Sequence, residues 1–392
     1  MRILDRYILK NFLVPFLYCF LGFIAIWLAF DLAQKTGDLV TKKITVVMLL
    51  AYYAGQLPQY VVLILPAAVL LALLYSLSRM SRTNEIISML ASGMSLYRLV
   101  LPLMLAGVAT AGVCFAMNYK LAPHAEISKD SLEIASYGER QYLWTSLLFR
   151  NRADSRTWVL QLWTKIGTPY ERASNPDLTW VKSAEITMQD KEGYITRKYF
   201  AGSIAYDAPT KTWTLKDGMT VDFDPEDPSQ FTRDFWDTKT ITDWSETPWR
   251  IFSTDLDPAN LSLEELQNYL HFNADFPDSQ LAAYRTYYHR QWAVPAGCLI
   301  IVFFAAPLGI VYSRRGVLAG VAGSILIFFF ILFFDKLFLA LGKHGTIPPL
   351  FAAWGTDMIF GAVGLFLLWM RAGNRELFKL NPKNFMHLLK QT

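Results

Sequence analysis

Six apolar runs dominate this chain, and each is long enough for a helix to cross about 30 Å of hydrocarbon. They cover residues 12–33, 44–77, 96–117, 292–311, 317–338 and 351–370. Runs of this length and number predict membrane crossings rather than buried helices of a soluble core. The second run is longer than one crossing needs and contains Pro58 and Pro66. It reads as an apolar lead-in followed by a crossing over 57–77, with Pro58 at the start or at a bend. The first run follows "MRILDRYILKN" and resembles a leader, but its apolar part is too long and no small-residue cleavage site precedes "FDLAQKTGDL". It is expected to stay as the first crossing.

Charge is segregated around these runs. Only 18% of the 392 residues are charged, against about 25% in soluble domains, and 53% are hydrophobic. The net charge of +4 sits in short clusters between the runs, which membrane topology explains without a nucleic-acid partner. One side receives Arg2, Arg6, Lys10, Arg79, Arg82, Arg98, Arg314, Arg315, Arg371, Arg375 and Lys379. The other receives Lys35, Lys42, Lys43 and Lys343. The richer side is the cytoplasmic one, so both termini are expected in the cytoplasm and the region 120–289 outside. "YYHRQW" is an interfacial aromatic anchor, and "SRRG" a tight cytoplasmic hairpin.

The middle of the chain changes period. Between 158 and 223, stretches such as "TWVLQLW" and "TWTLKDGMTVDF" alternate polar and apolar residues and are separated by "NPD", "KEG", "DAPTK" and "KDG". This predicts an all-β domain, and the pattern does not separate a sandwich, a jelly roll and an open barrel. A helix is expected at "DPANLSLEELQNYL", with Ser262 and Glu265 spaced as a capping box.

Catalytic signals are sparse. The five histidines include no HExxH pair, "ASGMS" is not a nucleophile elbow, and there is no P-loop. Cys19, Cys114 and Cys298 are too far apart for a metal motif and read as small buried hydrophobes. The chain is therefore not expected to be an enzyme or to hold a metal. Any uphill work must draw on a partner or an ion gradient.

Polar residues near the crossings narrow the choice. Asp31 with Lys35, and Asp335 with Lys336, lie near the outer ends of the first and fifth crossings; each pair is either functional or snorkelling. No central acidic residue is read in the crossings. The loop "SRMSRTNEIISMLASGMSLYRLVLP" carries Arg79, Arg82, Glu85 and Gly93. Residues 84–90 predict a short helix with Ile86, Ile87, Met89 and Leu90 as its apolar surface. That surface either meets a soluble partner below the membrane, with Glu85 facing a basic group at the rim, or lies on lipid.

Four stretches carry a family resemblance: "LDRYILKNFLVPF", "NEIISMLASGMSLYRLVLP", "HRQWAVPAGCLIIVFFAAPLGIVYSRRG" and "LGKHGTIPPLFAAWGTDMIF". In order and spacing the chain resembles the LptF/LptG (YjgP/YjgQ) permeases of the lipopolysaccharide export machine, and "LDRYI" leans toward the LptG branch. The resemblance implies an α-helical membrane protein of six transmembrane helices with an inserted periplasmic jellyroll-like domain. The divisions would be 1–120, with a coupling helix near 84–92; 121–288, with a helical return near 261–270; and 289–392. It implies a bacterial inner-membrane protein with both termini cytoplasmic.

The partners implied are a second permease of the family, two copies of a cytoplasmic ATPase, a periplasmic bridge protein and lipopolysaccharide. ATP and Mg would bind the ATPase, leaving this chain without a cofactor. Glu85, Arg79, Arg82, Ile86, Met89 and Gly93 would couple to that ATPase. Trp27, Phe30, Phe328, Asp335 and Lys336 would belong to a lateral gate between the first and fifth crossings. Lys35, Lys42 and Lys43 would line a rim that meets phosphates, and Asp31 stands where some LptG-like members carry lysine. Three other readings compete: an ion-driven lipid transporter with a mid-membrane charged site and paired repeats, a non-transporting membrane-anchored scaffold with a periplasmic binding domain, and a membrane enzyme.

Overall fold

A computed structural model of the chain describes residues 3–41, 46–123, 125, 142–151, 153–165, 177–224, 230–310 and 317–372. The apolar runs become helices, several of which extend beyond their apolar limits: α1 (Ile3–Thr41) and α2 (Val46–Arg82) come first, then a short α3 (Glu85–Ala91) and α4 (Leu96–Ala116), which runs into a π turn at Met117–Leu121. Six antiparallel strands follow: β1 (Tyr142–Asn151), β2 (Arg156–Lys165), β3 (Val181–Gln189), β4 (Ile195–Asp207), β5 (Thr212–Phe223) and β6 (Phe231–Ile241). The chain then forms α5 (Pro248–Phe252), α6 (Leu263–Phe272), α7 (Asp278–Gly309), α8 (Val317–Lys343) and α9 (Pro349–Ala372). Among the described residues, six helices are long and apolar enough to cross a membrane: α1, α2, α4, α7, α8 and α9. From Val46 the second run is one continuous helix to Arg82, longer than one crossing needs, and Pro58 and Pro66 both lie inside it. In a packed membrane bundle, neighbouring groups satisfy the carbonyls that proline frees, so the helix need not end there.

The residues fall into two compact units. The first comprises Met1–Thr36, Pro58–Leu121 and Thr286–Thr392. Its core joins Ile8 and Phe12 of α1 to Leu70, Leu73 and Leu77 of α2, Leu99 and Leu103 of α4, and Val302 and Ala305 of α7. With no hydrophobic force between helices in lipid, association depends on close packing at small residues. Gly364 of α9 shows this: a Cβ there would stand 2.7 Å from the backbone nitrogen of Phe304 on α7.

The second unit, Gly37–Leu57 with Ala122–Arg285, contains the sheet. Each strand pairs with its sequence neighbour, in the order β1-β2-β3-β4-β5-β6. One cross-strand row runs Phe149, Trp158, Ile186, Tyr199, Thr220, and the adjacent row Leu147, Leu160, Ala184, Ala201, Gly218. The side chains of both rows that carry one are buried, which is the period-two pattern of a sheet with a single covered face. β1 and β6 lie outside the stretch read as strands from sequence. β6 is exposed along most of its length, so it carries little alternation.

A buried polar knot closes the core. Glu246, fully buried, accepts from Arg156, from Asn151 Nδ2 at 2.9 Å and from Trp158 Nε1 at 3.4 Å, while its backbone carbonyl accepts from Trp213 Nε1 at 2.8 Å. The Arg156 guanidinium lies 5.0 Å from the Trp244 ring centroid. In α6, the Ser262–Glu265 capping box is formed in both directions.

Candidate functional site

The loop between α2 and α4 is built by two unusual backbone positions. Asn84 sits in the left-handed region at φ 59°, where asparagine is better tolerated than most residues, and turns the chain out of α2 into α3. Gly93, at φ 88°, turns it back, and the Ser95 hydroxyl accepts the Arg98 N–H at 3.4 Å to start α4. Ile86 and Met89 are not on the outward surface. Both are buried in the chain's own core beside Ile8, Phe12 and Leu77, and Leu90 packs against that core. The expected four-residue apolar surface is thus mostly used internally. Ile87, at 42% exposure, remains outside with Ser88, Ala91 and Ser92. Residues three apart on a helix share a face, which takes Ile86 and Met89 inward together.

Glu85 sits at the first turn of α3. Its carboxylate accepts from Thr83 Oγ1 at 2.8 Å and from the Tyr7 hydroxyl of α1 at 3.0 Å. Arg79 and Arg82 are exposed on the last turns of α2. Beside α3, a cleft of about 240 Å³ lies among Leu4, Asp5, Ser92, Gly93, Met94 and Arg98.

α1 and α8 are the least enclosed of the crossings. Only 6% and 11% of their apolar windows are buried, against 67% in α2. Phe30 projects from α1 with 67% exposure, whereas Trp27 stacks on Tyr60 of α2 at 3.9 Å between centroids. On α8, Phe328 packs with Ile327 and Ile331 against the core, and the open face is Leu326, Phe329, Phe330 and Phe333. Phe328 is one residue off the exposed stripe, which recurs at helical spacing. One carboxylate oxygen of Asp31 is buried without a hydrogen-bond partner among the described residues. Lys35 falls within α1. Lys42 and Lys43 lie outside the described residues.

Asp335 does not pair with Lys336, which is exposed. It takes Arg290 of α7 in a two-pronged contact, Nη1 to Oδ1 and Nη2 to Oδ2, both 2.7 Å. Asp357 of α9 is the acidic residue that sequence reading missed inside a crossing. It is half-buried, and its Oδ1 lies 3.2 Å from where a Cβ on Gly297 of α7 would stand. Its signal was its position within the sixth run. Arg290 stood in the "HRQW" motif, and nothing local indicated its partner. Tyr7, likewise, lay in "LDRYILKN" without a visible role.

In the second unit, an open cleft of about 530 Å³ runs over β4–β6, lined by residues that include Phe200, Gly218, Met219, Phe235 and Trp236. A side chain at Gly218 would collide with the Phe200 carbonyl and the Trp236 indole. Beyond the cleft, Asp222 holds the Arg197 guanidinium, raising its pKa. Among the described residues, no group of three or more His, Cys, Asp or Glu is placed to hold a metal.

Six candidate crossings with a six-stranded sheet inserted between the third and fourth, and a short helix braced between α2 and α4, define a multi-pass helical membrane protein with an inserted β domain. A sequence model of the lipopolysaccharide export system permease LptF/LptG matches residues 6–370, and the chain belongs to that family. The match covers both branches and does not separate LptF from LptG. No curated protein matched the chain. Membership makes the chain a multi-pass inner-membrane transport subunit rather than an enzyme, from a family whose members work with a partner permease, an ATPase and a bridge protein.

Proposed function

We propose that this chain is a permease subunit of an ATP-driven exporter that extracts lipopolysaccharide, or a related anionic glycolipid, from the outer leaflet of the inner membrane and passes it to a periplasmic bridge. The observation that carries the proposal is α3, a short helix rooted in the core of the helical unit by Ile86 and Met89, with Glu85 and Ile87 at its surface. A soluble ATPase docks there. Glu85 meets a basic group of that partner, flanked by Arg79 and Arg82, and Gly93 keeps the turn into α4 short. ATP and Mg belong to the ATPase, which is present in two copies, and a second permease of the family completes the cavity. α3 and both termini lie on the cytoplasmic side, and the sheet lies in the periplasm. α1 and α8, the two open helices, form the lateral gate, with Phe30 and the Phe329–Phe330–Phe333 face toward acyl chains. Lys35, Lys42 and Lys43 supply cations for phosphate at the rim.

The test is gentle purification from the native membrane, with mass spectrometry of every protein and lipid recovered, for the parent chain and for Glu85→Ala. Recovery of an ATPase, a second six-span permease and a phosphorylated glycolipid is expected, and the substitution lowers recovery of the ATPase at unchanged membrane yield. Recovery of the parent chain alone with ordinary phospholipid, even after crosslinking, overturns the reading.

A further inference from the structure

We infer that Tyr7 ties the coupling helix α3 to the gate helix α1, so that α1 acts as a lever driven from its N-terminal end. This rests on the function proposed above and adds the path by which a docked ATPase reaches the gate. Three observations support it. The Tyr7 hydroxyl donates to the Glu85 carboxylate at 3.0 Å, across 78 residues of sequence. Directly after Tyr7, Ile8 and Phe12 are each 1% exposed and share one core with Ile86 and Met89. Leu4 and Asp5 line the same cleft as Ser92, Gly93 and Met94 of the turn that follows α3. The first turns of α1 therefore rest on α3 and its turn. Beyond Phe12, α1 is held at few points: Phe16 packs against the same core, Phe20 against a smaller cluster, and Trp27 stacks on Tyr60, while little of its apolar window is buried.

A helix seated firmly at one end and lightly held along the rest passes displacement along its length, and in α1 that path runs through Pro15. Any shift of α3 on ATPase closure moves Ile8 and Phe12 with Ile86, and the outer part of α1, carrying Phe30, moves with them. Tyr7 is a positioning residue. It holds Glu85 against α1 while Thr83 holds it to α2.

The experiment places the photocrosslinker p-benzoylphenylalanine at position 30 in the full chain, purified with its partners and reconstituted with lipopolysaccharide. Adduct yield is read without nucleotide and in the vanadate-trapped state. The parent chain is expected to give a nucleotide-dependent yield. Tyr7→Phe, which removes only the hydroxyl, is expected to recover the same amount of ATPase but lose most of that dependence. Thr83→Val, which removes the other donor to Glu85 but no link to α1, is expected to keep it. A Tyr7→Phe protein that responds like the parent overturns the lever, as does equal loss in Thr83→Val. If Tyr7→Phe instead loses the ATPase, Tyr7 is a docking contact and the inference is wrong. A parent chain with no ATPase and no lipid adduct in any state overturns the functional reading itself, and the lever with it.

Discussion

Arg290 of α7 and Asp335 of α8 clasp each other through two parallel hydrogen bonds of 2.7 Å, with most of both side chains shielded. The fork of guanidinium on carboxylate fixes both position and rotation, so the pair pins α8, one of the least enclosed helices, to α7. Breaking one side leaves a shielded charge alone, which costs about 3 kcal/mol or more. Asp335→Ala is therefore expected to lower the thermal midpoint of the purified protein clearly. The exchange Arg290→Asp with Asp335→Arg should recover part of the loss, and a swap no better than the single variants would show that the pair does not act as a unit. Lys336→Ala, on the exposed side of the same helix, should leave the midpoint near the parent value.

Gly364 and Gly361 lie one turn apart on α9 and make opposite predictions. A Cβ at 364 meets the backbone of Phe304, 2.7 Å from N and 2.8 Å from Cα, and backbone cannot step aside. A Cβ at 361 meets only the Ile300 Cγ2 methyl, at 3.4 Å. Gly364→Ala should cost about 1–3 kcal/mol by forcing α9 off α7, the usual penalty of overpacking. Gly361→Ala should be close to neutral. Thermal midpoints measured side by side in one detergent check the difference, and equal midpoints would mean that α9 is not seated on α7 as described.

The crossings were legible because about 20 consecutive apolar residues have few other uses. Their ends were less so: α1 and α2 continue into charged sequence at both the Tyr7 and Arg82 ends, where helical hydrogen bonding persists after hydropathy stops. The position of α3 was readable from the apolar spacing of Ile86, Ile87, Met89 and Leu90, but its inward face was not. A single helix of seven residues does not declare whether Ile86 and Met89 turn toward a partner or toward its own bundle. The Asp335 partner was misread because Lys336 is adjacent in sequence. Neighbours on a helix point about 100° apart, while Arg290 lies 45 residues away and faces it. Lys42 and Lys43 lie beyond what the structure describes, so the rim rests on sequence.

Glu246 is the keystone of the polar knot in the sheet unit. It takes Arg156, Asn151 and Trp158 on its carboxylate, and no part of it reaches solvent. Glu246→Ala strands the Arg156 charge, with only Asp154 left at 3.7 Å, and should cost about 3–5 kcal/mol. Replacing both partners, Arg156→Met with Glu246→Leu, should cost less than the single change, because no charge is then left buried. Trp158, Trp213 and Trp244 surround the site, so near-ultraviolet circular dichroism during heating reports it. A double variant less stable than Glu246→Ala would show that the ion pair contributes more than charge neutralisation.

Tyr269 of α6 gives the sheet unit an alkaline limit. It stacks on Tyr284 with ring centroids 3.7 Å apart, and burial raises its phenol above the ordinary value, against smaller opposing pulls from Tyr284 and Arg250. The folded chain therefore holds this proton at a pH where the unfolded chain has released it. Below about pH 10, the ordinary tyrosine value, both states are neutral and the contribution is complete. As pH rises from there through the raised folded value, the unfolded state binds fewer protons and stability falls. Tyr269→Phe removes the titrating group and keeps the ring, so unfolding midpoints of the variant between about pH 9 and 11.5 should decline less steeply than those of the parent. Tyr206 has a phenol raised the same way by burial, with a further push from the Asp207 carboxylate, but it is less enclosed than Tyr269, so Tyr206→Phe should change the slope less. Parallel slopes for the parent and Tyr269→Phe would place the alkaline sensitivity elsewhere in the chain.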